Sequence, residues 1–207
     1  MSIEKAYNAW VGQYDTNQNK TRDLDQRATI ETLSKYDFTT ALELGCGTGK
    51  NTTWLVTKAE NIMCLDFSQG MLDKAAQKIK DPKVTFKKAD LNQKWDVPDG
   101  FADLVTSSLV LEHIKDLDPL FAQVHQKLKP GGNYFISELH PFKQYTGSKA
   151  RFETETGTQE LEVYIHHVSE YTSCASRNGL KLIEINEWFD GDAAKGLPRL
   201  ITFVFEK

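Results

Sequence analysis

The stretch ALELGCGTGK, Ala41 to Lys50, decides how this chain is read. An apolar run ends at Gly45, Gly47 and Gly49, and a helix-compatible segment follows. In an open α/β sheet, ligands bind where such a first strand ends, outside its carboxyl edge. Glycine lets ligand atoms approach the backbone, because it lacks a Cβ and tolerates unusual dihedral angles. Three ligand classes compete for a loop of this kind. A nucleoside-triphosphate loop needs GxxxxGK followed by Ser or Thr, but Leu44 stands five places before Gly49 and Asn51 follows Lys50. A dinucleotide loop, GxGxxG, puts glycine or alanine where this chain has Lys50. A ligand without phosphates has less need of that last small residue, so GxGxG suits it.

Outward from this loop, strand-like and helix-like segments alternate, the pattern of a mainly parallel sheet covered by helices. Strands are predicted at 40–45, 61–66, 84–90, 101–107 and 133–139. Met71, Leu72, Ala75, Ala76 and Ile79 form one helical face behind a Ser68 N-cap. Leu117, Leu120, Phe121, Val124 and Leu128 form a second, stopped by KPGG, and a third helix runs from Val168 to Asn178 before Gly179. Two strands, 180–189 and 200–206, then follow with no helix between them, so they pair antiparallel at the sheet edge.

Two regions fall outside that rhythm. Tyr7, Trp10, Val11 and Tyr14 share helical spacing, and a second helix lies around 24–36. Between Pro141 and His167, apolar Leu161, Val163 and Ile165 alternate with Glu162, Tyr164 and His166, and Thr156-Gly157 offers a turn to 150–155. This predicts a hairpin flap with its apolar face on the domain and its polar face toward a ligand. The plan is one domain: N-terminal lid helices (1–38), a binding core (39–140), an inserted flap (141–167), and a helix with an antiparallel strand pair (168–207).

Composition narrows the function classes. The 207 residues carry 40% hydrophobic and 26% charged side chains, an ordinary globular balance. A formal charge of −4, with no dense Lys/Arg run, argues against a nucleic-acid partner. No apolar stretch approaches the roughly 20 residues that span a bilayer, and the opening MSIEKAYNAW lacks a secretory apolar run. Cys46, Cys64 and Cys174 are scattered without a CxxC pair, which fits a reducing cytoplasm. Oligomeric state is left open.

Acidic residues close two more strands. Asp66 stands where a carboxylate accepts hydrogen bonds from ribose hydroxyls, and Asp90 where one reaches an adenine amino group. Together with IMCLDFSQGMLDKA, KKADLNQKWDVPDGFADLVTSSLVLEHI and LKPGGNYFISEL, the glycine loop resembles the class I methyltransferases, in particular the methyltransferase type 11-like group. The likeness runs from about Ala41 to Leu139, roughly half the chain. It implies a Rossmann-like α/β fold, a seven-stranded mostly parallel sheet ordered 3-2-1-4-5-7-6 with helices on both faces, and S-adenosyl-L-methionine as cofactor. It further implies that Gly45, Cys46, Gly47 and Gly49 lie against the methionyl part, Asp66 on the ribose, and Phe67 and Met71 on the adenine. Asp90 and Leu91 would meet the adenine edge, Ser107 the sulfonium end, and Tyr14 would act from the lid.

Methyl transfer from a sulfonium is an in-line displacement, so positioning matters most, and a base is needed only for an acceptor still protonated at working pH. Glu138, His140 and Tyr145 follow the fifth strand, while Tyr164, His166 and His167 close the insert. His140, His166 and Tyr164 are the expected catalytic groups, and His125 is expected to be solvated. LEHI resembles a stretch that binds a divalent metal in ubiquinone-pathway and small-RNA methyltransferases, where a glutamate stands three places before the Glu-His pair; here that place is Leu109, and Glu112 and His113 alone supply two ligands, so no metal is expected. The expected acceptor is a small molecule. A protein or peptide acceptor, a non-catalytic cofactor-binding subunit and a nicotinamide-dependent oxidoreductase are the rivals, the last opposed by Lys50 and Asp90.

Overall fold

Ala41 and Leu42 leave one strand on opposite sides and both are wholly buried, which requires cover on both faces of the sheet. The computed structural model describes residues 19–147, 151–154, 157–160, 163–191 and 196–207. Five parallel strands, β1 (Thr40–Leu44), β2 (Asn61–Asp66), β3 (Val84–Lys88), β4 (Ala102–Ser108) and β5 (Leu128–Leu139), are joined at one edge by β8 (Lys181–Trp188) and β9 (Leu200–Glu206). Their order is β3-β2-β1-β4-β5-β9-β8, and β9 runs antiparallel to both neighbours. Counted within the sheet this is 3-2-1-4-5-7-6, as expected.

Alternation along the strands divides the core in two. Leu42, Leu44, Tyr134, Ile136, Phe203 and Phe205 face α4 (Asp118–Lys127) and α6 (Val168–Arg177). Ala41, Ile62, Cys64, Phe135 and Val204 meet the other layer, where Leu33, Leu55 and Leu72 come from α1 (Lys20–Leu33), α2 (Thr52–Leu55) and α3 (Gln69–Lys78). Ser68 caps α3 as expected, accepting from the Met71 N–H at 3.2 Å. Ala76, assigned to the buried face, is exposed.

Three readings need correction. The KPGG segment does not separate helix from strand: α4 ends at Lys127 and β5 starts at Leu128. Register jumps there, from Ala102 opposite Leu128 to Leu104 opposite Asn133, and the loop is held because Gly131 donates to the Lys207 carbonyl. The insert opens with a short helix, α5 (Pro141–Tyr145), that the strand-period reading missed. Its hairpin forms from β6 (Arg151–Thr154) and β7 (Gly157–Glu160), closed by Thr154 opposite Gly157, but it does not extend through 163–167. There the expected facing is reversed: Ile165 is 41% exposed and His166 3%. Two polar partners on the body, described below, draw His166 inward. Leu161, Glu162 and the N-terminal Tyr7, Trp10, Val11 and Tyr14 lie outside the described residues.

Phe121 anchors the α4 layer, its ring edge-on to Tyr134 at 5.4 Å and to Phe205 at 6.1 Å between centroids. Phe121→Ala should cost about 3–5 kcal/mol of stability, read as a lower urea midpoint with an unchanged m-value.

Candidate functional site

The carboxyl ends of β1, β2, β4 and β5 lie along one edge of the sheet, and the glycine loop leaves the first of them. Gly45 and Cys46 donate to the Leu65 carbonyl at 2.8 and 3.1 Å, so the loop stays tied to β2 after the strand ends. Gly45 and Gly47 both have positive φ, +68° and +53°, conformations that strain any residue with a Cβ. Their surroundings differ. A Cβ at Gly45 would stand 2.5 Å from Val110 Cγ2, whereas one at Gly47 would meet nothing within 4 Å. Gly45 is therefore needed for packing against the end of β4, and Gly47 leaves an open cradle of the kind a ligand fills.

Asp66 holds that cradle. Its Oδ2 accepts the Gly47 N–H at 2.8 Å and its Oδ1 the Ser68 N–H at 2.9 Å. Burial pushes its carboxyl pKa up, against the backbone N–H groups that favour the charge. Phe67 is half-buried beside it and Met71 is buried. At the neighbouring strand end, the Ala89 N–H donates to the Asp66 carbonyl at 2.9 Å. Asp90 is exposed, and its Oδ1 accepts from Asn92 N at 2.9 Å and Nδ2 at 3.0 Å, which also makes it a turn former. Leu91 is buried.

Two expected ligand contacts point elsewhere. The Ser107 hydroxyl is wholly buried and shares a 2.9 Å hydrogen bond with Tyr134 in the α4 layer. The Cys46 side chain packs in the α2–α3 layer, leaving its backbone for the loop. Tyr14 lies outside the described residues.

A second constellation surrounds the one-turn 3₁₀ segment Leu111–His113, which follows β4 through Leu109, itself held at φ +54°. Glu138 Oε1 accepts the Val110 and Leu111 N–H groups at 2.9 and 2.8 Å. Tyr164 N–H donates to the Glu112 carbonyl at 2.7 Å, and His166 Nε2 donates to the Ile114 carbonyl at 2.7 Å. His166 Nδ1 faces Glu170 at 2.9 Å, so both its ring nitrogens are engaged. His140 is engaged too: Nδ1 accepts from Phe142 N–H at 3.1 Å, capping α5, which leaves Nε2 to donate to Glu187 at 3.0 Å. Burial lowers the His140 pKa against the pull of Glu187.

What remains at the centre of these braces is the Glu112 carboxylate. Its partners are Gln144 Nε2 at 3.5 Å and, more distantly, His113 Nε2 at 4.0 Å. Burial pushes its pKa up to about 7, and Glu138 is pushed up further by its own burial and then by Glu112. Glu43, within the decisive stretch itself, was passed over. Buried on β1, it accepts from the Thr52 hydroxyl, lies 3.6 Å from Cys64 Sγ, and is raised by burial to about 7. An acid in an apolar strand was the available signal. In the sequence Glu112 stands out only as half of a two-ligand pair; among the described residues no group of three or more His, Cys, Asp or Glu could hold a metal ion. His125, expected to be solvated, is half-buried, 3.4 Å from a Cβ built at Gly179.

Residues 42–136, just under half of the chain, match the sequence model of a family described as a methyltransferase domain. An uncharacterized methyltransferase of Emericella nidulans is 28% identical, the match covering 88% of this chain and 77% of that protein. The malonyl-[acyl-carrier protein] O-methyltransferase of Serratia marcescens is 28% identical over 67% of this chain and 52% of its own length, so the chain spans about half of that relative. An S-adenosylmethionine-dependent methyltransferase from Mesorhizobium loti superposes with a TM-score of 0.75 at 24% identity, covering 89% of this chain and 98% of that one.

The two glycines separate by experiment. Gly47→Ala should cost only the backbone strain, about 1–2 kcal/mol, yet abolish calorimetric binding of S-adenosylhomocysteine. Gly45→Ala should melt lower, because Val110 must also move. Equal binding by Gly47→Ala and wild type would remove the cradle. A second expectation concerns pH. Because the folded-state pKa of Glu112 is raised from 4.5 to about 7, its stabilising contribution is complete below the unfolded value and is lost as pH rises through 7. Glu112→Gln should therefore gain stability relative to wild type between pH 5 and 8, by on the order of 3 kcal/mol in urea titrations.

Proposed function

We propose that this chain is a class I S-adenosylmethionine-dependent methyltransferase that transfers a methyl group to a small-molecule acceptor, with Glu112 handling the proton that leaves the acceptor. The Gly47 cradle beside the Asp66 carboxylate carries the cofactor side of this reading. S-adenosyl-L-methionine supplies an electrophilic methyl group on a sulfonium, so the protein needs to align reactants more than to activate them. Gly47 would admit the methionyl part, with Gly45 and Gly49 packing the turn against Val110 and Ile79. Asp66 would accept from the ribose hydroxyls, and Phe67, Met71, Asp90 and Leu91 would frame the adenine.

On the acceptor side, the fully engaged ring nitrogens of His140 and His166 support positioning roles rather than the proton transfer first expected of them. His140 starts the helix that brings Gln144 to Glu112; His166 and the Tyr164 backbone fix the turn that carries it. A carboxyl group with a pKa near the working pH is suited to general base catalysis. The three free, buried cysteines fit a reducing compartment, and no helix among the described residues is long and apolar enough to cross a membrane.

The acceptor is sought by incubating the protein with labelled S-adenosylmethionine and a metabolite extract, with mass readout of the product. With an acceptor in hand, kcat should rise with pH through about 7 as Glu112 ionises. Glu112→Gln should lower kcat about 10²–10⁴-fold and flatten that limb, with KM little changed. An unchanged kcat and profile would instead favour an acceptor already ionised, such as a carboxylate, which needs no base, and would end the role of Glu112. Asp66→Ala should weaken S-adenosylhomocysteine binding by about 1.5–3 kcal/mol.

A further inference from the structure

Helix α1 covers the sheet at its carboxyl end, and the surface it covers there is polar. Three of its six buried residues are Asp25, Thr29 and Thr32. The strand positions on that face change from apolar Phe135 to Ser137 along β5, and from Leu104 to Thr106 and Ser108 along β4. The helix is fastened to the tail of the glycine loop. Lys50 Nζ bonds Asp23 at 2.6 Å, Gln26 Nε2 donates to the Lys50 carbonyl at 3.2 Å, and Asn51 Nδ2 donates to Asp25 Oδ2 at 2.9 Å.

Along this seam five buried groups have no hydrogen-bond partner among the described residues: the Thr29 and Thr32 hydroxyls on the helix, and Asp25 Oδ1, Asn51 Oδ1 and the Ser137 hydroxyl where the helix meets the glycine loop and β5. The Ser137 and Ser108 hydroxyls act on the Asp25 carboxylate to favour its charge, without Ser137 reaching hydrogen-bonding geometry. Burial outweighs them and pushes the Asp25 pKa up, while the nearest cation, Lys50, is committed to Asp23. Leaving a buried polar group without a partner is costly. A carboxylate, an amide oxygen and a hydroxyl together call for a ligand that is cationic and carries several N–H donors. A primary ammonium has three.

We infer that Asp25, Asn51 and Ser137 form the socket for the α-ammonium group of the cofactor's methionyl part. This rests on the cofactor reading above. Asn51 stands two residues beyond Gly49, so the socket continues the glycine loop instead of opening a separate site. Ser137 and Glu138 leave β5 on opposite faces, which puts the socket on the α1 face and the Glu138–Glu112 pair on the other. A methyl acceptor directed by Glu112 is thereby kept away from Asp25. The competing occupant is buried water, which also satisfies stranded polar groups, and it makes a different demand: water gives Asp25 no preference between ligands with and without an amine.

The test compares S-adenosylhomocysteine with its desamino analogue, in which hydrogen replaces the α-amino group, by titration calorimetry on the full chain. Wild type should bind S-adenosylhomocysteine at least about tenfold more tightly than the analogue. Asp25→Asn, nearly isosteric, should erase most of that preference, weakening S-adenosylhomocysteine about tenfold and the analogue less than about twofold. Ser137→Ala should move the same way by a smaller factor, and covers the case in which Asp25→Asn fails to fold. Equal weakening of both ligands would assign Asp25 to structure alone and overturn the socket, as would equal binding of both by wild type. Wild type that bound neither would overturn the cofactor reading itself.

Discussion

Asp66 accepts one backbone N–H from the turn after β1 and another from the turn after its own strand, and much of the crevice hangs on that shared carboxylate. Without it, Gly47 N–H would be free to rotate out, and the Leu65 carbonyl would remain as the loop's backbone tie to β2. With it, the loop keeps positive φ at Gly45, Gly47 and Gly49 and leaves open space beside the Gly47 backbone. Charged acceptors make the stronger hydrogen bonds, and burial strengthens these further by excluding water. The same carboxylate thus sets the loop's shape and supplies its polar contact.

Among the described residues Asp66 is one of five buried acids near the strand ends, with Asp25, Glu43, Glu112 and Glu138, and burial raises the pKa of every one. A sheet end assembled this way is costly, since unpaired or weakly paired buried carboxyls destabilise the fold. The arrangement makes sense for a crevice that receives a cationic ligand, whose binding returns part of that cost. Stability given up at a site in exchange for function is a general feature of ligand-binding crevices.

The acceptor side depends on cross-chain bracing. The turn at Leu111–His113 is too short to hold itself, and its carbonyls and N–H groups are held by Glu138, Tyr164 and His166, residues 27 to 52 positions away in sequence. The histidines are legible in sequence as titratable groups near a site. What they are bonded to is not, because a donor or acceptor on a distant segment leaves no local periodicity. Ring nitrogens that look available in HHV are both engaged in His166, and in His140 one caps a helix. The facing of Ile165 and His166 failed for the same reason: the period-2 pattern suggested a strand, but two polar partners on the body outweighed the burial of one isoleucine.

By itself the sequence determined the antiparallel edge, the glycine loop and the Asp66 strand end, since each follows from short-range pattern: apolar alternation, glycine spacing, helix caps and turn residues. The sheet order was implied by the family resemblance that those motifs carry. Glu43 was legible as well, as an acid inside a buried strand, though its hydrogen bond to Thr52 was not. Only the tertiary structure decided that Ser107 turns to Tyr134, that Glu112 rather than a histidine is left weakly paired, and that Asp25 meets Asn51 and Ser137. These are matters of which polar atoms remain unmatched once every element has docked. That is settled by the sum of long-range hydrogen bonds and burial, and no window of neighbouring residues contains it.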